Sequence, residues 1–211
     1  MTTPSGGTRT TELPRSADLR TIQYRNADRA RTIVGMTVPA VLDVAPWRDF
    51  PAAACGAIAA LHERLGWDVW VVTRVVDDRQ VVLHAHPPDV VPPGTWLPWA
   101  DTFCRAMVAG EAPRAATVTA AVPAFAKRMT GPTSRIAAYI GVPLVSPEGE
   151  LFGTLCAWGF RARPRSAARD LPLVETVARL LSTLLAAGMT PPDPVEESMR
   201  LPAAGPDESA V

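Results

Sequence analysis

The sequence predicts an α+β domain built on an antiparallel sheet, with two long helices on one face and the link between two hairpins covering part of the other. Three observations carry this expectation. Apolar residues recur every third or fourth position in two distant stretches, 50–65 and 171–187, the repeat of helices with one buried face. Between them lie four runs rich in β-branched and aromatic residues, grouped as two hairpins. Two of those runs, 67–76 and 136–145, are apolar on both alternating sets, as a sheet covered on both sides requires.

The elements follow in order. Residues 1–45 read as a flexible arm: the first ten are Gly, Ser, Thr and Pro-rich, and a helix over 16–34 has too polar a middle to be buried. The domain proper is expected over 46–188. In its first helix Phe50, Ala54, Ala57, Ile58, Leu61 and Leu65 share one side, and Gly66 ends it. Strand 67–76 turns at Asp77-Asp78 into strand 80–86. Pro87, Pro88, Pro92 and Pro93 then exclude regular structure. A short helix over 100–109, closed by Gly110, precedes a short strand at 117–118 and a small helix over 123–129. Strands 136–145 and 151–160 flank a Ser-Pro-Glu-Gly-Glu turn. The last helix carries Leu173, Val174, Val177, Leu180, Leu181, Leu184 and Leu185 on a wide face, and 189–211 reads as a disordered, acidic, Pro-rich tail.

Bulk properties narrow the function. With 47% apolar and 20% charged residues the chain is globular, and its 22 prolines collect outside the periodic stretches. A net charge of zero supplies no field to draw nucleic acid or an anionic membrane. No apolar run reaches the roughly 18 residues of a membrane span, and the first residues lack a secretory h-region. Cys55, Cys104 and Cys156 are odd in number, widely spaced and without a CxxC pair, which argues against a disulfide framework or a zinc knuckle. A soluble, reduced, cytoplasmic protein is expected.

The run Ala138-Tyr139-Ile140-Gly141-Val142-Pro143-Leu144, followed by Gly149-Glu150-Leu151-Phe152-Gly153-Thr154-Leu155-Cys156-Ala157, resembles the GAF-domain signature. The segment from Trp99 to Gly110 is similar to GAF domains often placed before diguanylate cyclase modules. The resemblance implies a six-stranded antiparallel sheet, the first and last helices on one face and a ligand pocket on the other. It also implies a regulatory or sensory role, with output on a signalling partner. Some branches are not matched. The Asn-Lys-x-Phe-Asp motif of cyclic-nucleotide binders and the Cys-His anchor of bilin binders are absent. The cysteine that free methionine sulfoxide reductases of this fold place just before the Pro-Leu strand has no counterpart in Ser134-Arg135-Ile136-Ala137-Ala138.

Strand alternation places Tyr139, Gly141 and Pro143 on one face of their strand and Thr154, Cys156 and Trp158 on one face of the next. With Phe103, Cys104, Met107 and Phe125 closing over them, Tyr139, Thr154, Cys156 and Trp158 form the candidate ligand pocket, against the reading of a filled, vestigial one. Cys104 and Cys156, two thiols near one pocket, could sense oxidants or form a transient bond if a neighbouring charge lowered a pKa; they read instead as small buried hydrophobes, because neither has a His or Lys beside it in sequence. His84 and His86 share a strand face but lack a third metal ligand, and an edge strand's polar face accounts for them. His62 reads as part of a solvated helix end. Arg161, Arg163, Arg165 and Arg169 read as a solvated loop, and Asp101 and Glu111 lack paired-carboxylate spacing. No catalytic or metal-binding set emerges and no cofactor is named. The expected role is a non-catalytic regulatory GAF domain that binds a small molecule or partner and forms a homodimer through its long helices. The alternatives are a thiol-dependent reductase of the same fold and a purely structural dimerisation domain.

Overall fold

The first helix, α1 (Phe50–Leu65), starts where Asp49 accepts a hydrogen bond from the Ala52 amide at 2.8 Å, with Pro51 in the first turn. It stops at Gly66, whose φ of 63° lets its amide return to the His62 carbonyl. The computed structural model describes residues 45–189 and Pro191. Contacts divide the chain into Met1–Ala45 and Pro46–Val211, and every element named here belongs to the second unit. The expected arm, its helix over 16–34 and all but Met189 and Pro191 of the acidic tail lie outside the described residues.

After α1 come β1 (Val69–Val76), β2 (Arg79–His86), β3 (Trp96–Pro98), α2 (Phe103–Val108), β4 (Ala115–Ala116), α3 (Pro123–Ala126), β5 (Ala138–Val145), β6 (Leu151–Gly159) and α4 (Leu171–Ala186). The six strands form one antiparallel sheet in the order β3-β2-β1-β6-β5-β4. The two-sided apolar strand, β1, lies beside β6 at its centre. Both long helices cover one face: Phe50, Ile58 and Leu61 of α1 and Val174, Leu181 and Leu185 of α4 pack with Trp70, Val72, Ile140, Leu144 and Leu155. The opposite face, under α2 and α3, buries Val69, Val71, Phe103, Phe125, Tyr139 and Cys156.

Several expected elements differ in detail. The helix over 100–109 is a 3-10 turn at Trp99–Asp101 followed by α2, because Thr102 caps a new helix by accepting from the Arg105 amide. The strand expected at 117–118 is two residues earlier, at Ala115–Ala116, and β3 is too short to show a pattern in sequence. Strand β2 is not a bare edge, since β3 pairs with its first half.

The sharpest departure is a bulge. Val72 faces His84, whereas Thr73 faces Val82, so Leu83 is the extra residue. Unbroken alternation from Gln80 and Val82 would put His84 and His86 under α2. The bulge turns them to the helix face, where the His86 ring meets that of His62 at 4.9 Å. His62 is therefore half-buried against β2 rather than part of a solvated helix end.

Candidate functional site

The site grows from the strand pair at the centre of the sheet. Thr73 of β1 and Thr154 of β6 are register partners, and their hydroxyls lie 2.8 Å apart, both fully buried. Gln80 reaches over from β2 and donates to both, at 2.9 Å to Thr73 and 3.0 Å to Thr154. Because Thr154 Oγ1 accepts from Gln80, its own proton is available to Cys104 Sγ on α2, 3.3 Å away. Cys156, two residues further along β6, brings its sulfur to 3.7 Å from that of Cys104.

Tyr139 completes the cluster from β5. Its ring lies across Gly141, where a Cβ would strike the phenol. That lets the hydroxyl donate to Cys104 Sγ at 3.4 Å. A buried cysteine sulfur thus receives hydrogen bonds from two hydroxyls inside an otherwise apolar layer.

These donors set the protonation of the pair. Burial opposes a thiolate at Cys104, but hydrogen bonds from Cys156, Thr154, Tyr139 and Gln80 outweigh it and bring the group from its ordinary 9.0 down to about 6. Cys156 is pushed well above 9.0, by burial and then by its neighbour Cys104. Tyr139 is likewise raised, by burial and by the two sulfurs. Of the two sulfurs, Cys104 is therefore the one whose anion the surroundings favour.

All eight residues of the expected pocket come together here. Phe103, Cys104, Met107, Phe125, Tyr139 and Cys156 form one buried cluster with Trp158 at its half-buried rim, and Thr154 joins through hydrogen bonds. Their side chains pack on one another: Phe103 and Phe125 have ring centroids 4.7 Å apart, Phe125 and Tyr139 5.2 Å. A groove of about 320 Å³ lies elsewhere, between β5 and α4, beside an exposed Arg114–Glu175 ion pair. The sequence reading missed Thr73 and Gln80. Their signal was a polar residue at the edge of an apolar run, Thr73 after Val69–Val72 and Gln80 before Val81-Val82-Leu83.

The other candidates are placed differently. Among the described residues no group of three His, Cys, Asp or Glu could hold a metal ion, and no helix is long and apolar enough to cross a membrane. Arg163 is not part of a solvated loop. It donates to the Leu65 and Gly66 carbonyls at the end of α1 and lies 4.6 Å over the Trp67 ring. Glu111 is held by Arg105 and Arg128, each at 3.1 Å.

The GAF domain model matches residues 18–185. The chain belongs to the GAF domain family. No curated protein matches it in sequence. Among solved structures it is similar to the GAF domain of an Acinetobacter phosphoenolpyruvate-protein phosphotransferase, with TM-score 0.53, 13% identity, and coverage of 70% of this chain and 89% of that one. It is also similar to free methionine-R-sulfoxide reductase from Neisseria meningitidis, with TM-score 0.52, 23% identity and coverage of 71% and 86%. A third is the GAF-B domain of DevS from Mycobacterium smegmatis, with TM-score 0.50, 15% identity and coverage of 72% and 99%. At these identities the likeness speaks to the GAF fold alone. The GAF match begins at residue 18, inside the stretch read as an arm.

Proposed function

We propose that this GAF domain is a non-catalytic regulatory module that acts by pairing with a second copy of itself through the outer side of α4. The supporting observation is an exposed seam. Leu173 and Leu180 are 42% and 61% exposed, and half-buried Val177 and Leu184 alternate with them at spacings of four and three residues. That is the spacing of a helix seam that packs against another helix.

The seam suits a second copy for a further reason. Its neighbours Thr176 and Thr183 are uncharged, and their hydroxyls already donate to the Pro172 and Arg179 carbonyls at 2.8 Å. Two such helices meet no like-charge repulsion and leave no hydroxyl unsatisfied. On the other side of the sheet the eight pocket residues occupy one another's contacts, which favours signalling through a partner over a preformed small-molecule site.

Sedimentation of the full-length chain at tens of micromolar tests this reading. The native chain is expected as a dimer and Leu173→Glu/Leu180→Glu as a monomer with unchanged circular dichroism. A monomeric native chain would sink the self-association reading. Turnover of free methionine sulfoxide would replace the non-catalytic reading with the reductase one.

A further inference from the structure

We propose that Cys104 and Cys156 are a thiol modification site, a pair that hydrogen peroxide converts reversibly to an intramolecular disulfide joining α2 to the central strand β6. The inference is independent of self-association.

The sulfurs are 3.7 Å apart, and a disulfide needs about 2.05 Å, so they must close by about 1.7 Å. The two ends differ in freedom. Cys156 sits in a strand paired on both sides, to β1 and β5, whereas Cys104 rides on a helix of six residues. Closure is a movement of α2 toward the sheet.

Burying Gln80, Thr73 and Thr154 in an apolar layer costs desolvation that an all-aliphatic packing would avoid. What the arrangement achieves is a hydroxyl proton from Thr154 aimed at Cys104 Sγ, joined by that of Tyr139. Hydrogen bonds to a sulfur favour its anion, and the thiolate is the nucleophile in thiol oxidation. The low value of Cys104 and the high value of Cys156 agree with this division into attacking thiolate and protonated neighbour.

The chemistry balances with one oxidant. The Cys104 thiolate attacks one peroxide oxygen, the O–O bond breaks, and hydroxide leaves a sulfenic acid on Cys104. Cys156 then attacks that sulfur. The S–O bond breaks, an S–S bond forms, and the Cys156 proton leaves with the departing oxygen as water. Two thiols lose two electrons and peroxide gains them. A thiol reductant reverses the step. Burial selects the reagent: Cys104 and Cys156 are 3% and 0% exposed, which admits a small neutral peroxide during brief opening of α2 and bars a bulky disulfide. Cys55 is exposed on α1 and lies outside the pair.

The test uses the full-length Cys55→Ser chain, treated with excess hydrogen peroxide, then denatured, alkylated and peptide-mapped without reduction. The expected result is loss of both remaining free thiols, a cross-linked peptide pair containing Cys104 and Cys156 within one chain, and recovery of both thiols with dithiothreitol. In Cys156→Ala, also in the Cys55→Ser background, oxidation should stop at a Cys104 sulfenic acid that dimedone traps. Two thiols still open to alkylation after peroxide, or a cross-link only between chains, would overturn the proposal. If Cys156→Ala fails to fold, the peptide map of the Cys55→Ser chain decides alone.

Discussion

Replacing Thr154 by Val tests whether the buried hydroxyl network supports the Cys104 sulfur. Valine is close to threonine in size, so no large cavity opens, and the cost comes from hydrogen bonding. Thr73 keeps Gln80 and the Thr154 amide, at 2.9 and 3.2 Å. Gln80 keeps Thr73 but loses its 3.0 Å bond to Thr154, and Cys104 loses a donor at 3.3 Å. One buried donor left unpaired costs about 1–3 kcal/mol, and that is the expected loss in urea denaturation. The loss should also depend on pH. The Cys104 value is depressed on folding, so its thiolate contributes stability that is fully present above the ordinary 9.0 and lost as pH falls through about 6. Cys156 is shifted the other way, and its contribution declines as pH rises beyond 9.0. Thr154→Val should therefore cost more at pH values between 6 and 9 than below 6, and the thiolate absorbance of the folded protein should titrate at higher pH. An equal cost on both sides of pH 6, with an unmoved titration, would refute the idea that this hydroxyl stabilises the thiolate.

Two further substitutions probe the scaffold. Leu181→Ala, at a side chain 3% exposed between α4 and the sheet, should cost about 2–5 kcal/mol; an unchanged denaturation midpoint would mean the wrong face of α4 is buried. Gly153→Ala would drive a Cβ into the Thr73 backbone of the neighbouring central strand, and should cost about 1–3 kcal/mol or more; a fully stable variant would show that β1 and β6 can separate there.

Periodicity alone carried most of the fold. The repeats in 50–65 and 171–187 marked the inward sides of α1 and α4, and the two-sided apolar character of β1 marked it as central. Alternation also assigned Tyr139, Cys156 and Trp158 to one face and Ile140, Val142 and Leu155 to the other, as the two buried clusters have them. These features are local: a side chain's face follows from its position in its own element. Partners across space do not. Cys104 and Cys156 are 52 positions apart; strand alternation grouped them with Tyr139 and Thr154, but not the hydrogen bonds these hydroxyls aim at the Cys104 sulfur, nor the reach of Gln80 from β2. The register of β1 against β6 and the placement of α2 over them create that setting. The bulge at Leu83 is a tertiary decision as well: one extra residue sent His84 and His86 to the helix face, where alternation from Gln80 and Val82 pointed to the other. A strand's repeat counts residues, but whether its partner counts the same number depends on packing between them.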